Sequence, residues 1–192
     1  MNRTYKITFT LLRPLMAIFF PHRQLGRENI PKGPCIFCAN HSSFIDPLLV
    51  IYAIWPCWAH IMAKLELFSV ILVGFVLRHI AAVPVNRAHN DIHAVRESMR
   101  YLKSGGNLLV FPEGTRVSTD DAVAAKSGAV RLAVKLETPL VPIYIPRGKH
   151  LFRRTEVRIG APYYVAANDR RPHEELAEEL MEKIRELAPV KP

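Results

Sequence analysis

The chain has 192 residues, 49% of them hydrophobic, which is enough to bury one substantial core and too few for two comfortable domains. Its 26 Lys and Arg outnumber 17 Asp and Glu, and a formal charge of +9 directs the surface toward phosphate, whether in a small substrate, a lipid headgroup or a nucleic acid. Three cysteines, an odd number, argue against a disulfide framework and for a reducing compartment.

At the N-terminus, the stretch "FTLLRPLMAIFF" is interrupted by Arg13 and Pro14 and leads into no small-residue cleavage site, so it does not read as a secretory signal. Tyr5, Phe9, Leu12, Met16 and Phe19 recur at alternating steps of four and three, as on one face of a helix. Periodicity leaves two readings open, a helix lying on a membrane surface and a helix folding back on its own core. Residues 1–32 carry six basic side chains and Glu28 as their one acid. The longest run free of charge and histidine, Pro47 to Ala59, is thirteen residues. A spanning helix wants roughly 20, so the chain is not expected to cross a bilayer, although residues 4–20 can still lie on one.

Beyond this segment, short apolar runs bounded by turn residues alternate with helical patterns, the signature of an α/β domain. Strands are predicted at Cys35–Ala39, His60–Ala63, Ala82–Val85, Leu108–Phe111, Leu140–Ile145 and Glu156–Ile159. Helices are predicted at Pro47–Trp55, Glu66–Arg78, Asp91–Lys103, Val123–Leu136 and His173–Leu187. The expected architecture is a single domain, a mixed and mostly parallel sheet flanked by helices, over residues 26–192, with residues 1–25 as an amphipathic membrane-associating segment.

Four stretches carry chemistry. In "NHSSFIDP", His41 and Asp46 stand between an apolar strand and a helix. Five residues along a helix would turn them apart, so they meet only if "SSFI" is a turn, as Ser42 and Ser43 favour. An imidazole with one nitrogen held by a carboxylate leaves the other free to take a proton from a hydroxyl. In "LLVFPEGTR", a strand enters a turn where Gly114 permits close approach, Thr115 offers a hydroxyl and Arg116 a planar fork suited to phosphate. Glu113 fits such an anion cradle only by holding an arginine or accepting from a substrate hydroxyl. The remaining two are "VPVNR", ending in Arg87, and "PLVPIYI", with Pro142 inside a buried strand.

In this order, "NHSSFID", "VPVNR", "FPEGTR" and "VPIYI" make the chain resemble the 1-acylglycerol-3-phosphate acyltransferase family, with the spacers "ENIPKGPCIF", "MAKLEL" and "KSGAVRLA" extending the likeness over residues 26–146. The resemblance implies transfer of a fatty acyl group from an acyl thioester, acyl-CoA or acyl-acyl carrier protein, to a glycerophospholipid hydroxyl, with no bound cofactor or metal. It implies catalysis by His41 and Asp46, phosphate binding by Arg87 and Arg116, acceptor contacts by Glu113, Gly114 and Thr115, and an acyl or donor side at Pro142. It further implies the cytoplasmic face of a membrane, peripheral or monotopic. Val117 stands where the family usually has Ser, and Ala125–Lys126–Ser127–Gly128 replaces its aromatic-Lys-Lys-Gly, so acceptor identity (lysophosphatidate or another lysolipid) is more open than the chemistry.

Three rival readings have weaker support. A zinc module would draw on Cys35, Cys38, His41, Cys57 and His60, yet residues 35 and 38 of a strand point to opposite faces. A nucleic-acid binder would need a basic helix or aromatic platform; the basic cluster Arg147, Lys149, Arg153 and Arg154 lies in a predicted loop and reads as a membrane-surface or donor-phosphate contact. An acyl-enzyme on Ser42 or Ser43 lacks any G-x-S-x-G elbow.

Overall fold

The computed structural model describes residues 3–79, 82–85, 92–117 and 124–189. Along these, the chain forms α1 (Arg3–Phe19), β1 (His22–Leu25), β2 (Ile36–Ala39), α2 (Asp46–Ile54), β3 (Ala59–Lys64), α3 (Ile71–His79) and β4 (Val83–Val85). It continues with α4 (Ile92–Lys103), β5 (Asn107–Val110), α5 (Gly128–Leu136), β6 (Leu140–Tyr144), β7 (Thr155–Ile159) and α6 (His173–Glu186).

The strands make one seven-stranded sheet in the order β1-β7-β6-β2-β5-β3-β4. Every neighbouring pair is parallel except β6 and β7, which run antiparallel. The mixed, mostly parallel sheet expected from the alternation of apolar runs and helices is thus what forms. Strand β2 shows why both faces must be covered. Phe37 and Ala39 join the core beneath α1 and α2, whereas Ile36 and Cys38 join the core beneath α4, α5 and α6. A strand buried on both faces reads as a continuous apolar run, and "CIFCA" does.

Three elements differ from the expectations. β1, "HRQL", has no apolar alternation, and it is a strand because it pairs along β7 from His22↔Thr155 to Leu25↔Arg158 at the sheet edge. The helix predicted over Glu66–Arg78 is divided, a 3₁₀ turn at Leu65–Ser69 preceding α3. Ser69 Oγ donates to Glu66 O at 2.7 Å and Arg78 Nη1 to Phe68 O at 3.0 Å, which folds the turn onto the helix instead of continuing it. The helix predicted from Val123 begins at Gly128, because Lys126 N donates to Pro112 O (2.7 Å) and Ala125 N to Glu178 (2.7 Å) and neither is left for a helical ladder. Residue 123 itself lies outside the described residues.

Of the two readings of the N-terminal segment, the stripe through Phe9 and Met16 packs inward. Phe9 is 1% exposed, with its ring 5.2 Å from Tyr52, 6.4 Å from Trp55 and 6.0 Å from Trp58. A second apolar stripe, Leu11, Leu15 and Ile18, remains 50–68% exposed on the same helix. Among the described residues no helix is long and apolar enough to cross a membrane.

Candidate active site

The parallel strands β6, β2 and β5 lie side by side and deliver their C-terminal ends to one edge of the sheet. The connections leaving β2 and β5 depart to opposite faces of the sheet, α2 on one and α5 on the other, the arrangement that opens a crevice in α/β folds. Asn40, 3% exposed, follows β2: its amide donates to Ile145 O and accepts from Ile145 N, both at 2.8 Å, prolonging the β2–β6 pairing by one side chain.

His41 follows directly and the chain then turns, Asp46 N donating to Ser43 O at 3.2 Å. The turn brings His41 Nδ1 to 3.1 Å from Asp46 Oδ2, so the two are in hydrogen-bond contact. Asp46 is the first residue of α2, and its carboxylate points backward, not along the helix. Oδ2 also accepts the N–H groups of Ser42 and Ser43, each at 2.7 Å. The side chain is fully buried, which by itself pushes the carboxyl up, but the His41 contact, the Lys149 ammonium and the Ser42 N–H outweigh burial and hold it below the ordinary carboxylate range. The imidazole is braced on its flat side by Phe111, ring centroids 4.2 Å apart and 27° from parallel.

The loop after β5 is clamped to His41 from both directions. His41 N donates to Glu113 Oε2 at 2.8 Å, and Val117 N donates to His41 O at 2.8 Å. Glu113, for which the resemblance implied an acceptor contact, is 3% exposed, and its other oxygen accepts from Arg147 Nη2 at 2.8 Å. With both oxygens engaged, it ties the loop after β5 to the His41 backbone and to Arg147; a carboxylate is withdrawn from water only where such partners compensate it. Gly114 lies beside it at φ 66°, in the left-handed region, and a Cβ there would come within 3.1 Å of the Lys126 side chain. Thr115 and Arg116 are exposed at the rim, the Arg116 guanidinium lying 3.6 Å from the centroid of Phe44.

Arg87 falls outside the described residues. Pro142 lies buried within β6, paired with Cys38 and next to where β7 joins at Ile143 and Tyr144. The basic cluster read as a surface contact divides. Arg147 reaches Glu113 and the carbonyl of Val117, Lys149 is buried against Asp46, and Arg153 and Arg154 are exposed. Lys149 Nζ lies 2.7 Å from Asp46 Oδ1 and donates to Ser42 Oγ at 2.8 Å and Pro146 O at 2.7 Å. Sequence reading missed Arg147 and Lys149 as site residues, since a run of basic residues after a strand carries no sign of which ones turn inward. The Ser42–Lys149 contact does not make a nucleophile of the serine, because an ammonium paired with a carboxylate donates and does not take a proton.

The cysteines proposed for a zinc module are divided by the sheet. Cys35 belongs to one core and Cys38 to the other, and burial pushes both thiols up. Cys57 Sγ accepts from Asn107 Nδ2 at 3.2 Å, while Asn107 Oδ1 accepts from Cys35 N at 2.9 Å. His60 stacks on Tyr101 at 3.6 Å.

A family model described as Acyltransferase matches residues 23–146. The 1-acyl-sn-glycerol-3-phosphate acyltransferase of Bacillus subtilis is 32% identical over 194 residues, covering 95% of this chain and 96% of that protein. The enzyme of the same name from Borreliella burgdorferi is 32% identical over 130 residues, and there the chain spans 52% of the relative's length. Of a chloroplastic relative from Brassica napus it spans 35%. Among solved structures, the crystal structure of the 1-acyl-sn-glycerophosphate (LPA) acyltransferase PlsC from Thermotoga maritima matches with a TM-score of 0.72 at 28% identity, covering 96% of this chain and 78% of that one.

Proposed function

The chain belongs to the acyltransferase family, and from that premise we propose that it transfers a fatty acyl group from an acyl thioester to the sn-2 hydroxyl of 1-acyl-sn-glycerol-3-phosphate, giving phosphatidic acid for phospholipid synthesis. The observation that carries this reading is the His41–Asp46 contact just beyond the C-terminal end of β2. With Nδ1 turned to Asp46, Nε2 is the nitrogen available to a substrate. As the acceptor oxygen attacks the thioester carbonyl, Nε2 takes its proton; when the tetrahedral intermediate collapses, the carbon–sulfur bond breaks and the proton passes to the departing thiolate. General-base help of this kind contributes roughly 10² to 10⁴ in rate. Arg116 at the rim and Arg87 after β4 are the residues proposed to hold the acceptor phosphate, and such anchoring makes the encounter effectively intramolecular. Both acyl-CoA and acyl carrier protein present the required thioester as co-substrate.

The protein is further proposed to work from a membrane surface, on the cytoplasmic face, as a peripheral or monotopic enzyme. Leu11, Leu15, Ile18 and Phe19 form an exposed apolar ridge, and Leu151 and Phe152 extend it, with Phe152 N donating to Phe19 O at 2.9 Å and the two rings 5.5 Å apart. A cleft of about 250 Å³ beside α1 is lined by Arg13, His22, Arg27 and Arg154 and by no acid, which suits lipid phosphates. Three unbridged thiols suit a reducing compartment.

The test is mass spectrometry of the products from a panel of lysolipids with each donor. Phosphatidic acid is expected from 1-acylglycerol-3-phosphate, with His41→Ala lowering turnover by about 10² to 10⁴. Transfer to a different lysolipid alone would reassign the acceptor, and a fully active His41→Ala protein would overturn the mechanism.

A further inference from the structure

The two oxygens of Asp46 have different partners. Oδ2 receives His41 Nδ1 and two backbone N–H groups. Oδ1 has Lys149 Nζ beside it at 2.7 Å and, among the described residues, no hydrogen-bond donor in line. The lysine side chain is 3% exposed and the aspartate 0%. Lysine is among the residues least often buried, and its ammonium is kept from water only where an anion compensates it.

We propose that Lys149 is a positioning residue of the His41–Asp46 dyad: its buried ammonium holds Asp46 ionised and aimed, and presents the imidazole with a neutral ion pair in place of a bare carboxylate. The inference rests on the acyltransferase reading and deepens it. Lys149 comes from the loop between β6 and β7, and its ammonium also donates to Ser42 Oγ and Pro146 O, which ties that loop to the turn carrying the dyad.

Among the described residues, removing the ammonium leaves this buried carboxylate oxygen with no cation beside it. Such a group draws a proton into the dyad at higher pH, either onto the carboxyl or onto the imidazole, and the two titrate as one coupled unit. Both outcomes remove base from the reaction at a pH where the native protein still has it. Among the described residues, the other charged groups of the site do not substitute for Lys149. Glu113 takes the His41 backbone N–H and is neutralised by Arg147, and Arg116 lies over Phe44.

Lys149→Met and Lys149→Arg, alone and with Asp46→Asn, test this through kcat and KM for both substrates across about pH 5–9. Lys149→Met is expected to lower kcat by about 10²-fold with both KM values within about threefold, and to move the acidic limb of kcat/KM up by about one pH unit. Lys149→Arg keeps the charge and is expected to leave the limb in place. In the Asp46→Asn background, adding Lys149→Met should cost less than about threefold, because the group it acts through is already neutral. A raised KM with unchanged kcat would make Lys149 a substrate contact and overturn the proposal. A full multiplicative loss in the Asp46→Asn background, with the limb unmoved, would overturn it as well. Lys149→Gln, neutral but still able to donate to Ser42 and Pro146, carries the same expectation and stands in for a methionine variant that fails to fold. If the wild-type protein transfers no acyl group, the functional reading fails by itself, and ¹⁵N titration of the His41 ring still decides this inference. A midpoint higher in Lys149→Gln than in wild type supports it, and an unmoved midpoint overturns it.

Discussion

Glu113 illustrates how a carboxylate in a motif can serve the site by holding its scaffold. It is 2% exposed at the side chain, accepting from the His41 backbone on one oxygen and from Arg147 on the other. Glu113→Gln keeps the shape but turns an amide N–H₂ against one of two donors, and breaking a buried pair of this kind costs about 3 kcal/mol. At 2–4 °C per kcal/mol in a domain of this size, Tm should fall by roughly 6–12 °C in a calorimetric scan. A variant that kept its Tm and lost only affinity for the acceptor would instead make Glu113 a substrate contact. His41, Asp46 and the turn between them were legible in eight consecutive letters because the contact is local. Lys149 was not legible, since it meets Ser42 across 107 positions of sequence.

At the scale of elements, β1 and α1 show where periodicity stops being informative. β1 is held by the edge of β7 and by the turn that follows it, where Gly26 has φ 78° and Asn29 Nδ2 donates to Ile159 O at 2.9 Å. A Cβ on Gly26 would stand 2.0 Å from Ile159 O, a backbone atom unable to move aside alone. Gly26→Ala therefore combines about 1–2 kcal/mol of left-handed strain with a clash, and should lower the urea midpoint by an amount equivalent to at least about 2 kcal/mol. An unchanged midpoint would mean that the turn re-forms and that β1 is not anchored there. α1 carries two apolar stripes, and a period of 3.6 cannot say which one the protein itself covers. Phe9 met Tyr52, Trp55 and Trp58, so the stripe that includes Phe9 and Met16 went inward.

For the whole molecule, the exposed stripe, the Leu151–Phe152 tip and the basic cleft all adjoin α1 or its C-terminal end. Leu11→Glu, Leu15→Glu and Ile18→Glu together replace exposed side chains and leave the core untouched. Co-sedimentation with vesicles containing anionic phospholipid should fall at least about tenfold while the Tm remains near wild type. Undiminished vesicle binding would overturn the proposed membrane contact through this stripe.

The α/β class, the alternation of most strands and helices after β1, and the condition that His41 meets Asp46 through a turn follow from the sequence by itself, because apolar period, turn residues and a five-residue spacing are short-range quantities. Tertiary structure alone decided which stripe of α1 is covered, that a polar tetrapeptide becomes the edge strand, and that Glu113, Arg147 and Lys149 are withdrawn from solvent. The reason is physical. A charged side chain is buried only when a partner from a distant part of the chain arrives to compensate it, and no local pattern records that arrival.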